Sequence, residues 1–76
     1  MPSLAYNSLL KVVSSYVDSK KAAEVLARQL TACKLDADTI ASADIQANLL
    51  RLSTACSLYI SDSSKRDELK RKIAAI

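Results

Sequence analysis

This sequence of 76 residues contains no glycine, histidine, phenylalanine or tryptophan, and only one proline and two cysteines. Glycine provides the left-handed backbone positions of tight hairpin turns and of most helix C-termini. A domain of antiparallel strands needs such positions at its turns, so the lack of glycine argues against β-structure. Alanine and leucine dominate instead, and long runs of β-branched residues do not occur. The composition therefore predicts an all-α fold.

The lack of histidine removes the usual general base, metal ligand and pH switch. Asp36 and Asp38 are two nearby carboxylates, but a calcium loop needs more oxygen ligands and normally a glycine. Cys33 and Cys56 lie on consecutive predicted helices, about 20 Å apart along the helix axis and beyond the roughly 7 Å that a disulfide spans. We therefore expect no enzyme activity, no cofactor and no metal site, and two free, buried thiols.

Long apolar runs are also lacking, since no segment approaches the roughly 18 residues that cross a membrane, and Met1-Pro2-Ser3 does not begin a signal peptide. We expect a cytoplasmic protein. Hydrophobic residues nevertheless make up 50% of the chain. This is well above the content of a disordered chain. Either the core is unusually rich, or an apolar face packs against another chain.

The length indicates one domain over residues 1–76. Apolar side chains recur at three- and four-residue spacing in four segments that polar stretches separate. These segments predict helices over residues 3–17, 19–35, 43–60 and 65–76. Because the joins within each pair are short, we expect four helices in two antiparallel αα-hairpins, packed as a compact bundle. The acidic stretch 36–39 forms the loop between the hairpins, with Ile40 as its anchor.

The third predicted helix has the most regular apolar stripe. Its members follow steps of four, three, four and three residues, namely Ile45, Leu49, Leu52, Cys56 and Tyr59. Ser42 is the expected N-cap of this helix. Before the fourth helix, Ser64 and Asp67 resemble a capping box with aspartate in place of glutamate.

A weak internal repeat relates the two predicted hairpins. Each copy contains a helix that ends in an aromatic residue, then a polar cap, then a second helix that begins with two cations. The matching positions are Tyr16, Asp18, Lys20 and Lys21 in the first copy, and Tyr59, Asp62, Lys65 and Arg66 in the second. Two cations at a helix start oppose the helix dipole, so local stability does not account for them. The match reflects either a duplication or the coincidence of common residues.

The last twelve residues carry all of the net charge of +3. We call their five cations the basic patch: Lys65, Arg66, Lys70, Arg71 and Lys72. One interpretation is contact with nucleic acid or another anionic surface. The other is a solvated helix face, on which Asp67 pairs with Arg71 and Glu68 pairs with Lys72 at the favourable four-residue spacing.

The leading interpretation is a small helical protein–protein interaction or assembly module, of the adaptor or regulatory kind, that binds another protein or forms a homodimer. The surplus of apolar residues and the lack of catalytic groups both favour it. The expected contact positions are the apolar side chains that point away from the predicted seams, namely Tyr6, Leu10, Leu50, Leu58 and Ile60. The alternative function is binding of nucleic acid or an anionic surface through the basic patch.

Overall fold

A computed structural model describes residues 2–76, which form five α-helices and no strand. The helices are α1 (Leu4–Ser14), α2 (Ser19–Ala32), α3 (Ser42–Ala47), α4 (Leu49–Ser57) and α5 (Ser63–Ala74). The predicted all-α bundle is confirmed. None of the helices formed by residues 2–76 is long and apolar enough to cross a membrane.

The helices pack as two consecutive pairs, with α1 against α2 and α4 against α5. Contacts of α2 with α4 and of α1 with α5 join the two pairs, and α3 lies against α4 and α5. The Cα radius of gyration is 11.0 Å. A compact chain of this length is expected to have a radius of about 11 Å, so the five helices form a single packed unit.

One apolar cluster lies at the centre of the bundle, and each helix contributes to it. Its largest fully buried side chains are Leu9 and Val13 from α1, Leu26 from α2, Ile45 from α3, Leu52 and Cys56 from α4, and Leu69 and Ile73 from α5. Ile40 is also buried, at 2% exposure, so it anchors the loop between the pairs as predicted.

Asn48 divides the third predicted helix, over residues 43–60, into α3 and α4. Its backbone leaves the helical region at φ −114° and ψ 19°. Its side-chain amide donates to the carbonyl oxygen of Asp44 at 2.8 Å. Asparagine competes with the helical ladder through such local hydrogen bonds, which accounts for the break. The regular stripe from Ile45 to Cys56 therefore spans two helices rather than one, and Tyr59 lies beyond the end of α4.

An aspartate side chain caps the N-terminus of the second helix in each pair. Asp18 accepts hydrogen bonds from the backbone N–H groups of Lys20 and Lys21. Asp62 accepts in the same way from Ser64 and Lys65. The predicted capping box at Ser64 is therefore wrong, because Asp62 caps α5 two residues earlier.

The other predicted boundaries shift by a few residues. Before α3 the cap position is Ala41 rather than Ser42, and the Asp44 carboxylate accepts from the Ala41 N–H at 3.0 Å. α1 ends at Ser14, and backbone hydrogen bonds from Tyr16 and Val17 to Val13 form a tight turn where the prediction continued the helix to residue 17.

Lys34 takes the left-handed position that ends α2, with φ 60°. The N–H of Lys34 donates to the Thr31 carbonyl, and the N–H of Leu35 donates to the Leu30 carbonyl at 2.8 Å. These two bonds form a Schellman motif, in which glycine is the preferred residue because it has no Cβ. The bundle thus makes this turn without glycine and with a lysine in an unfavourable backbone region.

Replacing Lys34 with glycine is expected to raise the free energy of unfolding by about 1 kcal/mol, because the clash of Cβ with the backbone is relieved. Urea unfolding followed by circular dichroism measures this change. The matched control is Lys34→Ala, which removes the charge and keeps Cβ, so its stability should stay close to that of the wild type. A glycine variant no more stable than the alanine variant would contradict the interpretation.

Candidate interaction surface

Two of the five predicted contact residues lie in the core rather than at the surface. Tyr6 is 9% exposed and Ile60 is 6% exposed. Tyr6 precedes Leu9 and Val13 by three and seven residues, so it shares their buried face of α1. Ile60 follows the end of α4, and the chain turns its side chain inward. The expectation that these two side chains point outward is wrong, and Leu10 is half-buried against the core.

The other two predicted contact residues, Leu50 and Leu58, are 71% and 79% exposed. Both line an open groove between α4 and α5 with a volume of about 370 Å³. The remaining lining residues are Ser53, Thr54 and Ser57 from α4, and Arg66, Asp67 and Lys70 from α5. We call this site the α4–α5 groove. It combines two predicted apolar contacts with two members of the basic patch.

The small polar residues of the groove, Ser53, Thr54 and Ser57, are not among the contact positions predicted from the sequence. A signal exists in the sequence for Thr54 alone, because positions 50, 54 and 58 follow one another at four-residue spacing on the side of α4 away from the core stripe. Ser53 is buried and its hydroxyl donates to the Leu50 carbonyl oxygen. Its polar group is therefore satisfied within α4.

The five cations of the basic patch differ in the contacts that they make. Arg66 donates from Nε to the carbonyl oxygen of Ile60 at 2.6 Å, so it stabilises the turn between α4 and α5. Lys72 forms an ion pair with Glu68 at 3.1 Å. Lys65, Lys70 and Arg71 are exposed and form neither an ion pair nor a side-chain hydrogen bond within residues 2–76. The predicted pair of Asp67 with Arg71 is wrong, since no such contact exists.

Tyr16, Glu68 and Lys72 form a polar cluster between α5 and the turn that follows α1. The Tyr16 hydroxyl donates to Glu68 Oε1 at 2.6 Å, and Lys72 Nζ lies 5.2 Å from the centroid of the Tyr16 ring. The hydrogen bond from Tyr16 and the neighbouring Lys72 lower the pKa of Glu68. The Tyr16 side chain and Glu68 raise the pKa of Lys72. No sequence pattern indicates this cluster, because Tyr16 and Glu68 are 52 residues apart.

Tyr59 occupies the position in the second helix pair that Tyr16 occupies in the first, and it contacts a cation of the first pair. Lys21 Nζ lies 5.4 Å from the centroid of the Tyr59 ring. A lysine over an aromatic ring is attracted by the negative face of the ring. Each tyrosine that follows the first helix of a pair is therefore covered by a lysine from the other pair. The contact with Tyr59 accounts for a cation at position 21, which the helix dipole by itself disfavours.

Replacing Glu68 with glutamine is expected to lower the urea midpoint at neutral pH, because the charge-assisted contacts with Tyr16 and Lys72 are lost. A carboxylate whose pKa is lowered by folding stabilises the fold above its ordinary pKa of about 4.3, and this contribution disappears as the pH falls through the folded value. The difference between wild type and Glu68→Gln should therefore vanish in acid.

The control for this experiment is Glu24→Gln, because Glu24 pairs with Arg28 within α2 at 3.0 Å and joins no other helix. Its effect should be smaller than that of Glu68→Gln at neutral pH. An equal loss of stability at neutral and acidic pH in Glu68→Gln would indicate a packing effect rather than a charge effect.

The two cysteines are free, and their exposure differs. Cys56 is buried in the core, and burial raises its pKa to about 11. Cys33 is half-buried at the end of α2, so the expectation that both thiols are buried holds for Cys56 and not for Cys33.

Cys56 should react with a thiol reagent such as dithionitrobenzoate only when the chain unfolds, because the thiolate is the reactive form and the core excludes the reagent. Absorbance at neutral pH should report one reactive thiol in the native protein and two in denaturant. Cys33→Ser should leave no rapidly reacting thiol in the native state. Rapid native reaction of Cys33→Ser would contradict the buried position of Cys56.

Within residues 2–76, no three histidine, cysteine, aspartate or glutamate side chains come together as a group that could hold a metal ion. No protein-family model matches the sequence, and neither a curated protein nor a solved structure matches it significantly.

Proposed function

We propose that this chain is a small helical protein–protein interaction or assembly module without catalytic activity, and that the α4–α5 groove is its contact surface. The observation that carries the proposal is the exposure of Leu50 and Leu58 at 71% and 79% in one groove. Leucine gains free energy when a partner removes it from water. Two such side chains in one groove give a partner two anchors.

The burial pattern supports this choice of surface. The core closes around residues from every helix without using Leu50 or Leu58. Packing of the core therefore does not account for leucine at these two positions. Leu4 is also exposed, at 86%, but it does not line the groove. It serves as a matched control because it has the same side chain at a surface position on α1.

We expect weak self-association through the exposed leucines, which strengthens as salt screens the cations Arg66 and Lys70 beside them. Sedimentation velocity over a wide concentration series, at low and high salt, measures this association. Leu50→Ser and Leu58→Ser should abolish it, while Leu4→Ser should retain it. Each substitution is expected to change the free energy of unfolding by less than about 0.5 kcal/mol, since these sites are exposed. Association that persists in both groove variants would contradict the proposed surface.

Binding of nucleic acid or an anionic surface is the second candidate function. The observation that favours it is the set of three exposed cations on α5 that lack partners within the described residues: Lys65, Lys70 and Arg71. Duplex DNA added during the same sedimentation experiment distinguishes the two functions. A shift that falls steeply with salt would support this second function, whereas an unchanged sedimentation coefficient would support the interaction module.

A further inference from the structure

The partner that fits the α4–α5 groove can be described from its shape and charge, and this description rests on the function proposed above. The α4 side of the groove consists of the small residues Ser53, Thr54 and Ser57. Leu50 precedes these residues in the chain and Leu58 follows them, and both leucines line the groove. Small side chains between two larger ones leave room for another helix to approach α4 closely, because the distance between packed helices depends on the side chains at the contact.

The spacing of the two leucines determines the pattern that a partner helix needs. Leu50 and Leu58 are eight residues apart, which corresponds to about 12 Å along a helix axis. A partner helix reaches both leucines with apolar residues separated by seven or eight positions. An amphipathic helix that places its apolar face in a groove binds through anchors of this kind.

The charged residues on the α5 side of the groove determine which sign of charge a partner should carry. Arg66 and Lys70 lie one helical turn apart on α5, and Asp67 is the acidic residue beside them. Arg51 adds a cation next to Leu50, in the adjoining groove between α2 and α4. Three cations against one carboxylate leave the surroundings of Leu50 and Leu58 positive. Opposite charges across an interface favour encounter and fix the register of binding.

We propose that the occupant of the α4–α5 groove is an acidic amphipathic helix of another protein, with two apolar residues seven or eight positions apart and carboxylates along the edge that faces α5. A second copy of the chain fits less well, because a face-to-face pair brings Arg66 and Lys70 of both copies together. Nucleic acid also fits less well, because phosphate gains nothing from contact with Leu50 and Leu58.

The test is selection from a helix-biased random peptide library displayed on phage, with the full chain as bait at low salt. Library members that also bind the Leu50→Ser/Leu58→Ser double variant are removed. The enriched peptides should be rich in aspartate and glutamate and should carry apolar residues at the stated spacing. Synthetic copies of them are then titrated by fluorescence anisotropy.

For these peptides, Kd should rise at least about ten-fold in Leu50→Ser and in Leu58→Ser, and Leu4→Ser should leave it unchanged. Lys70→Glu should weaken binding, whereas Lys20→Glu, the same charge change on α2 away from the groove, should weaken it less. Rising salt should also weaken binding. Thermal melts of each variant establish that the bundle remains folded.

Enriched peptides that need both leucines but are neutral or basic would overturn the acidic partner and leave the proposed function standing. Failure to enrich any leucine-dependent peptide would overturn this inference, and the self-association experiment would then decide the proposed function separately. Displacement of the acidic peptides by duplex DNA that binds the wild type more tightly would overturn both and favour the nucleic-acid function.

Discussion

The structure depends on one apolar cluster, because none of its helices is long enough to be stable alone. The helices formed by residues 2–76 contain between 6 and 14 residues, whereas isolated helices below about 12–15 residues are marginal in water. Each helix therefore gains its stability by placing a side chain such as Leu26 or Ile45 in the shared core. The six-residue helix α3 shows this most clearly, since Ile45 is fully buried and the Gln46 amide donates to the Ala74 carbonyl near the end of α5.

Much of this fold could be predicted from the sequence, because helix periodicity and capping are local properties. The stripe through Leu9 and Val13 and the cap at Asp18 both identify their helices correctly. The break at Asn48 was missed because the apolar stripe continues across it. The backbone dihedrals of Asn48 and its side-chain bond to Asp44 reveal the break. The spacing of apolar residues indicates which face of a helix is buried. It does not indicate a helix break that leaves the same face buried on both sides.

The α4–α5 groove was predictable only in part. Leu50 and Leu58 stand outside the core stripe, so their exposure follows from helix geometry. Tyr6 was assigned to the surface although it lies three residues before Leu9, on the same face of α1. The position of Arg66 and Lys70 beside the leucines depends on how α4 and α5 pack, which single-helix patterns do not contain. The sequence repeat between the hairpins corresponds to a repeated contact in the structure, because a lysine side chain lies over the ring of both Tyr16 and Tyr59.

The reciprocal contacts of Tyr16 with Lys72 and of Tyr59 with Lys21 have a consequence for the order of folding. Each helix pair is joined by a short turn and forms from residues that are close in the chain, whereas the two tyrosine contacts join residues that are far apart. Contacts between distant residues carry the larger loss of chain entropy and tend to form after the local ones. Interactions that form after the transition state mainly slow unfolding. We therefore expect the contacts of Lys21 and Lys72 to slow unfolding more than they speed folding.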